Sequence, residues 1–312
     1  MKRKVAQIGP STLMVSLPTK WAKENGIHKG DELNVTTVRK EITFSVEENK
    51  TAKKEITVDI STFSSFMLIR YIETLYINNY NKIILTHSNQ EILHNPTGKW
   101  ENLRQRIKST SNRFIGMEIV AQSTTMTELH CFLSKEEQDL ESIGRRIFFL
   151  WKGALQELLD HIERDQPLSY KEVYEQHDNI IRFITYYLRV LAQSDLPELE
   201  KLYLFSFYLE FDKLVDKYRH LGEKVEQYGC TRKVKSLLQD VFHYVNEQFS
   251  MIHKGELNSD IIKKRYELVA RIKKKEKFTI EELLVITEAD LMLNVMNDIV
   301  RVVIVKKLMN VK

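Results

Sequence analysis

The sequence predicts a multidomain α+β protein. A small β head spans residues 1–54, a β-α-β-α-β-β spacer spans 55–133, and an all-α pair of three-helix bundles follows, 134–228 and 229–312. Three observations lead there. Short β-forming runs punctuated by Gly and Pro open the chain. Strand-like and helix-like runs then alternate, as in a two-layer sandwich. From residue 134 onward, apolar residues recur at steps of three and four behind capping boxes. At 312 residues the chain is also too long for one ordinary core.

In the head, residues 5–8 (VAQI) are a brief apolar stretch and 12–18 (TLMVSLP) alternate loosely. Pro18 ends that run, because proline has no N–H for a central ladder. Residues 19–25 have room for one to two helical turns, closed by Gly26, which suits a left-handed cap. Gly30-Asp31 turns the chain into strands at 32–38 (ELNVTTV) and 41–46 (EITFSV). A unit with so few large apolar side chains cannot bury a core alone. Either it packs on the rest of the protein or two copies interlock.

The spacer begins with a strand at 55–60 and a helix at 63–79 whose apolar residues are Phe66, Ile69, Ile72, Leu75 and Tyr76. A strand at 82–86 (KIILT) follows, then an amphipathic helix at 100–111 (WENLRQRIKSTS). Residues 115–122 and 125–132 form a hairpin turning at Ser123-Thr124.

Ser134 with Glu137, Ser169 with Glu172 and Thr279 with Glu282 have capping-box spacing, each announcing a helix. Behind the first, Leu140, Ile143, Ile147, Trp151, Ala154, Leu158 and Ile162 make a stripe that predicts a buried face. Further helices are expected at 169–193, 196–226, 231–254, 258–274 and 279–310, with Gly229 and Gly255 as stops. The β-branched run IVRVVIV near the end favours a strand by composition. The third capping box and the helical surroundings favour helix. The helices fall three and three around Gly229, which suggests a weak internal duplication.

The formal net charge is +4, unevenly placed: residues 1–54 hold eleven Lys/Arg against six Asp/Glu. Such a local excess reads either as the footprint of a polyanion or as solvated surface. Cys131 and Cys230 are far apart and form no CxxC pair, which predicts free thiols in a reducing cytoplasm. No run of about 18 apolar residues predicts membrane insertion. No Walker loop, dinucleotide fingerprint, HExxH or nucleophile constellation is present, so an enzyme is not expected.

The opening unit resembles the AbrB/MazE/SpoVT swapped-hairpin DNA-binding domains. Ser16-Leu17-Pro18, the helical turn after it, Gly26-Ile27, and Gly30-Asp31 before a strand carry the resemblance. It implies an intertwined homodimer through the N-terminal domain and duplex DNA as partner. The helical region resembles PhoU, the phosphate-uptake regulator built from two three-helix bundles. Residues 173–191 (VYEQHDNIIRFITYYLRVL) are similar to its second helix and 209–223 (LEFDKLVDKYRHLGE) to its third. The order of head, spacer and bundles resembles archaeal phosphate-uptake regulators, and FIGMEIV (114–120) in the spacer fits that group. The resemblance implies transcriptional control of phosphate uptake. A protein-interaction regulator of a phosphate transporter or signalling kinase, or a metal-binding bundle, remains an alternative.

For DNA, the candidates are Lys2, Arg3 and Lys4 before the first strand, Lys20 and Lys23 on the helical turn, and Arg39 and Lys40 at the second hairpin. Ser11 and Thr12 could bond phosphates. For a divalent or ferric ion, Asp212, Asp216 and His220 recur every fourth residue on one helical face, with His177 on the facing helix. Ile181 stands where the family has a second acid, and the second half offers Asn294 and Asp298. The same acidic stripe also reads as solvated, partnered by Lys213, Lys217 and Arg219.

Overall fold

A computed structural model describes residues 2–38, 41–46, 54–133, 139–164, 169–253, 256, 259–274 and 277–310. The chain divides into two compact units, Met1–Ala52 and Lys53–Lys312.

In the first unit, β1 (Val5–Ile8) and β2 (Thr12–Val15) pair antiparallel with Val5 opposite Val15 and Ile8 opposite Thr12. The turn between them needs Gly9, whose φ is +72°. The strand expected over 12–18 stops at Val15, because the chain must free Pro18 to start α1 (Thr19–Glu24). Gly26, at φ +64°, takes the chain out of that helix. β3 (Asn34–Val38) and β4 (Glu41–Ser45) make a second antiparallel hairpin. Among the described residues of this unit, none is buried. Val5, Ile8, Leu13 and Ile42 are each more than half exposed.

The second unit begins with an α/β layer. β5 (Lys54–Asp59) runs through α2 (Ser65–Ile77) into β6 (Tyr80–Thr86), its parallel neighbour. β7 (Glu91–His94) and β8 (Lys99–Asn102) form a small hairpin before α3 (Leu103–Ser111). β9 (Met117–Gln122) and β10 (Met126–Cys131) complete a four-stranded sheet of order β5-β6-β10-β9.

Two expectations for this layer are corrected. Residues 100–102 are strand rather than helix: Trp100 pairs with Leu93, and the Asn102 side chain caps α3 by accepting from the Gln105 N–H at 3.0 Å. In α2 the buried stripe is Leu68, Ile72, Leu75 and Tyr76, while Phe66 stands 60% exposed. Ile72, Leu75 and Tyr76 of the expected stripe are buried and Ile69 is half-buried; Leu68 takes the place that the sequence suggested for Phe66.

Six helices follow: α4 (Leu140–Arg164), α5 (Tyr170–Gln193), α6 (Glu198–Tyr228), α7 (Arg232–His253), α8 (Ser259–Ile272) and α9 (Ile280–Asn310). Of the three expected capping boxes, the Thr279/Glu282 pair forms reciprocally, at 3.3 and 2.9 Å. The Ser134/Glu137 pair, like Gly255, lies outside the described residues. Asp139 caps α4 instead, accepting from the amides of Glu141 and Ser142 at 3.1 Å. Ser169 makes no side-chain cap; the amide of Tyr170 donates to Glu226 of α6 at 2.9 Å, so a carboxylate from another helix fills that role. The β-branched end of the chain is helical, because its preceding turns bury Met292, Leu293, Met296, Ile299 and Val300. Packing overrides propensity there.

The six helices share one core, with α6 lying along α9 and α5 along both α4 and α6. Gly222 of α6 packs so closely on α5 that an added Cβ would fall 2.6 Å from a Val173 methyl. At the centre Trp151 is fully buried, with Phe211 and Tyr218 edge-on at 5.4 and 5.8 Å.

The sheet layer joins the helices through Arg189 of α5, which is 1% exposed. Its Nη1 donates to the carbonyl of Tyr76 and, at 3.4 Å, to that of Tyr80, and its guanidinium lies 4.7 Å from the centre of the Tyr76 ring. Asn79, at φ +66°, donates from Nδ2 to the Arg189 carbonyl at 3.4 Å and accepts from Gln193.

Trp151→Ala should destabilise the second unit by about 3–5 kcal/mol. Urea denaturation reads the change, and a variant as stable as the parent would place the core elsewhere.

Candidate functional site

Candidate residues gather in two places, one in each unit. In the first, Lys2, Arg3, Lys4, Ser11, Thr12, Lys20 and Lys23 are all exposed. The register separates them. Ser11 and Thr12 sit at the tip of the β1–β2 hairpin, while Lys2, Arg3 and Lys4 lie at its open end, about 13 Å away at the rise of a strand. Lys20 and Lys23 lie on α1, where Lys20 reaches Glu24 at 3.8 Å. Arg39 and Lys40 lie outside the described residues.

In the second unit a cavity of about 490 Å³ opens between α2, α5 and α6. Asp212, Asp216 and Arg219 line it from α6, His177, Ile181 and Tyr174 from α5, Arg70 and Glu73 from α2, and Arg113 from the turn after α3. Asp212, Asp216 and His177 are therefore brought together as the sequence suggested. His220 is not: it turns towards α9, with Nδ1 3.9 Å from Glu288 and Nε2 2.8 Å from Arg219. Burial and then the Arg219 charge push its imidazole below the usual value.

Sequence reasoning missed Arg70, Glu73 and Arg113. No local pattern marks them, because they reach the site only when the sheet layer docks on the helices.

The charges are matched. His177 bridges two carboxylates, Nε2 to Asp216 at 3.0 Å and Nδ1 to Asp178 at 3.1 Å. Burial opposes its imidazolium, but these hydrogen bonds outweigh burial and raise its pKa. Asp216 is held below the usual carboxylate range: burial works against this, but His177 and Arg219, the latter at 3.7 Å, prevail. Arg70 pairs with Glu73 at 2.8 Å and Arg113 with Asp178 at 3.4 Å. Asp212 is the exception. Burial, with Asp216 and Glu73 nearby, pushes its carboxyl up to about 6.

This set does not fit a metal ion. Both nitrogens of His177 are engaged, His220 faces away, and Arg70 and Arg219 supply the positive charge a cation would bring. Among the described residues, no group of three or more His, Cys, Asp or Glu is placed to hold one ion. In the second half, Asn294 accepts from Arg265 at 2.9 Å and Asp298 pairs with Arg301 at 3.3 Å. The solvated-stripe reading needs amending too: of its proposed partners Arg219 serves Asp216, but Lys213 turns to Glu210 at 2.7 Å.

Comparison with known proteins adds one finding. The model of the MazE family, an antidote-toxin recognition bacterial antitoxin, matches residues 7–43. No curated protein and no solved structure matches the chain. The MazE match falls within the first unit and supports its reading as an AbrB/MazE-type domain. Among the described residues of the second unit, no helix is long and apolar enough to cross a membrane.

Two outcomes follow for the cavity. Asp212 keeps its proton to about pH 6 when folded but only to about 4 when unfolded, so its ionisation lowers stability as pH rises between those values. His177, whose pKa is raised by folding, stabilises fully at low pH and loses that contribution as pH rises through its folded pKa. Asp212→Asn should therefore stabilise the protein at pH 7 by about 1–2 kcal/mol and flatten its urea-stability profile between about pH 4 and 6. A destabilised variant would show that the carboxylate is needed ionised. Melting curves with and without EDTA should coincide; a lower midpoint in chelator would restore the metal.

Proposed function

We propose that the chain is a dimeric, non-enzymatic DNA-binding regulator whose second unit senses or docks a signal, and that it controls phosphate uptake. The observation that carries the DNA-binding reading is the exposed first unit. Its described part buries no side chain and leaves Val5, Ile8, Leu13 and Ile42 in water. Two-stranded hairpins of this size are marginal alone. A second copy interlocked with the first would supply the missing core, and the match over residues 7–43 supports that arrangement. The excess of Lys and Arg in residues 1–54 supports a polyanion as ligand.

Phosphate uptake rests on the likeness of the helical region to PhoU-type bundles. The two successive helix triplets on either side of Gly229 support it. A second reading comes from the matched family's own description: an antitoxin-type head would take a protein, a toxin, as its partner.

The test is fluorescence anisotropy of the full chain on a mixed-sequence DNA duplex at several salt concentrations. Affinity should fall steeply with salt. Replacing Lys2, Arg3 and Lys4 by Gln should reduce the log–log slope by about one unit for each phosphate that is no longer neutralised. Binding that ignores salt, or an unchanged triple variant, would favour the protein-partner reading. For the physiological role, a deletion strain should lose the response of its phosphate-transport genes to phosphate starvation.

A further inference from the structure

The N-terminal half of α6 carries apolar residues on two faces. One face is core: Tyr203, Tyr208 and Phe211 are buried. The other is bare. Leu199, Leu202, Phe205 and Leu209 follow one another at steps of three, three and four, and they are 52%, 60%, 36% and 42% exposed. Residues at those steps form one stripe along a helix. A contiguous apolar stripe flanked by charges marks an interaction surface rather than scattered exposure.

We propose that this stripe pairs, antiparallel, with the same stripe of a second copy of the chain, about a two-fold axis passing between Phe205 and Ser206. The middle of the stripe, residues 202–209, is complementary to itself in that register. Leu202 faces Leu209 of the second copy. Phe205 meets its own counterpart on one side of the axis, and Ser206 meets its counterpart on the other. Further out, Glu198 lies opposite Lys213 of the second copy, and symmetry repeats the pair at the other end.

Charge selects this arrangement over its neighbours. Parallel pairing sets Glu198 against Glu198 and Lys213 against Lys213. Slipping one helix by three residues brings Glu198 towards Glu210, or Lys201 towards Lys213, according to direction. Like charges facing each other are the usual means of fixing register and orientation in paired helices. Glu198 and Lys213 already hold Lys201 and Glu210 at 3.0 and 2.7 Å within the helix. Their side chains are still 90% and 59% exposed, which leaves each open to a second partner.

A seam of about three turns buries less than a free-standing dimer needs. It therefore acts as the second contact of a chain already paired through its first unit, and in this respect it rests on the dimeric head proposed above. Once that head holds two chains together, the seam forms at the high effective concentration of a tethered pair. An intertwined head and an antiparallel helix pair both have two-fold symmetry, so one closed dimer can contain both.

The experiment uses the full chain carrying Ser206→Cys, mildly oxidised and run on a non-reducing gel, while light scattering reports the mass in solution. Ser206→Cys should give a covalent dimer that neither the wild type nor Lys152→Cys, exposed on α4, gives. Adding Glu198→Lys should lower the cross-linked fraction about fivefold, since two ion pairs become repulsive at once. Adding Lys213→Glu to that variant should restore it. A dimeric mass with no cross-link above the Lys152→Cys control would overturn the seam and leave the head dimer standing. A monomeric mass with no cross-link would overturn both. Cross-linking that the charge swap fails to restore would overturn the register.

Discussion

One buried guanidinium ties the sheet layer of the second unit to its helices. Among the described residues Arg189 pairs with no carboxylate; its positive charge rests on the carbonyls of Tyr76 and Tyr80 and on the face of the Tyr76 ring. The Tyr76 carbonyl belongs to the last turn of α2, at the negative end of the helix dipole, and also accepts the Asn79 N–H at 3.1 Å. A cation supplied by a different helix satisfies that end and locks α2 to α5. Asn79 and Gln193 close the joint around it, with Asn79 in a left-handed conformation at the helix exit.

The cavity is a consequence of that joint. With the C-terminal end of α2 fixed on α5, the turns of α2 that carry Arg70 and Glu73 are brought over the middle of α5 and α6. Acids and bases then gather around the cavity: Arg70 with Glu73 within α2, His177 with Asp216 and Asp178 within the helices, and Arg113 with Asp178 across the two layers. A half-buried cluster of this kind is tolerable only because its charges nearly cancel. Asp212 takes part in none of these pairs, and its pKa is raised first by burial and then by the neighbouring Asp216 and Glu73. The network therefore answers to pH. A bound ligand can shift the protein only by favouring one arrangement over another.

The first unit solves a different problem. Its two hairpins place apolar residues at regular strand positions, and the described residues of the unit do not cover them. A second copy is the simplest cover, because a closed two-fold dimer satisfies every exposed patch with its own image. The bare stripe on α6 follows the same logic in helical form. The two surfaces are far apart in sequence, yet both stand uncovered by the described residues of the chain.

Local features were legible without a structure. The steps of Ile143, Ile147, Trp151, Ala154 and Leu158 place the buried face of α4 because a helix has only one period. Thr279 with Glu282 marks a helix start because the capping geometry lies within four residues. Gly26 and Gly229 mark stops because a positive φ is a property of one residue. Asp212 and Asp216 were visible as a pair for the same reason. Whatever depends on which element arrives opposite needed the folded chain. Only there does Phe66 face solvent and Leu68 the core, Trp100 lie in a strand, and Glu226 rather than Ser169 cap α5. Only there do Arg70 and Arg219 occupy the electrostatic role a metal would have taken. Helices, strands and their apolar sides could be read along the chain, since they follow from neighbours a few residues apart. Charge balance in the cavity could not, because Coulomb interactions depend on distance in space, and the chain brings together residues 70, 113, 177, 212 and 216 only by folding.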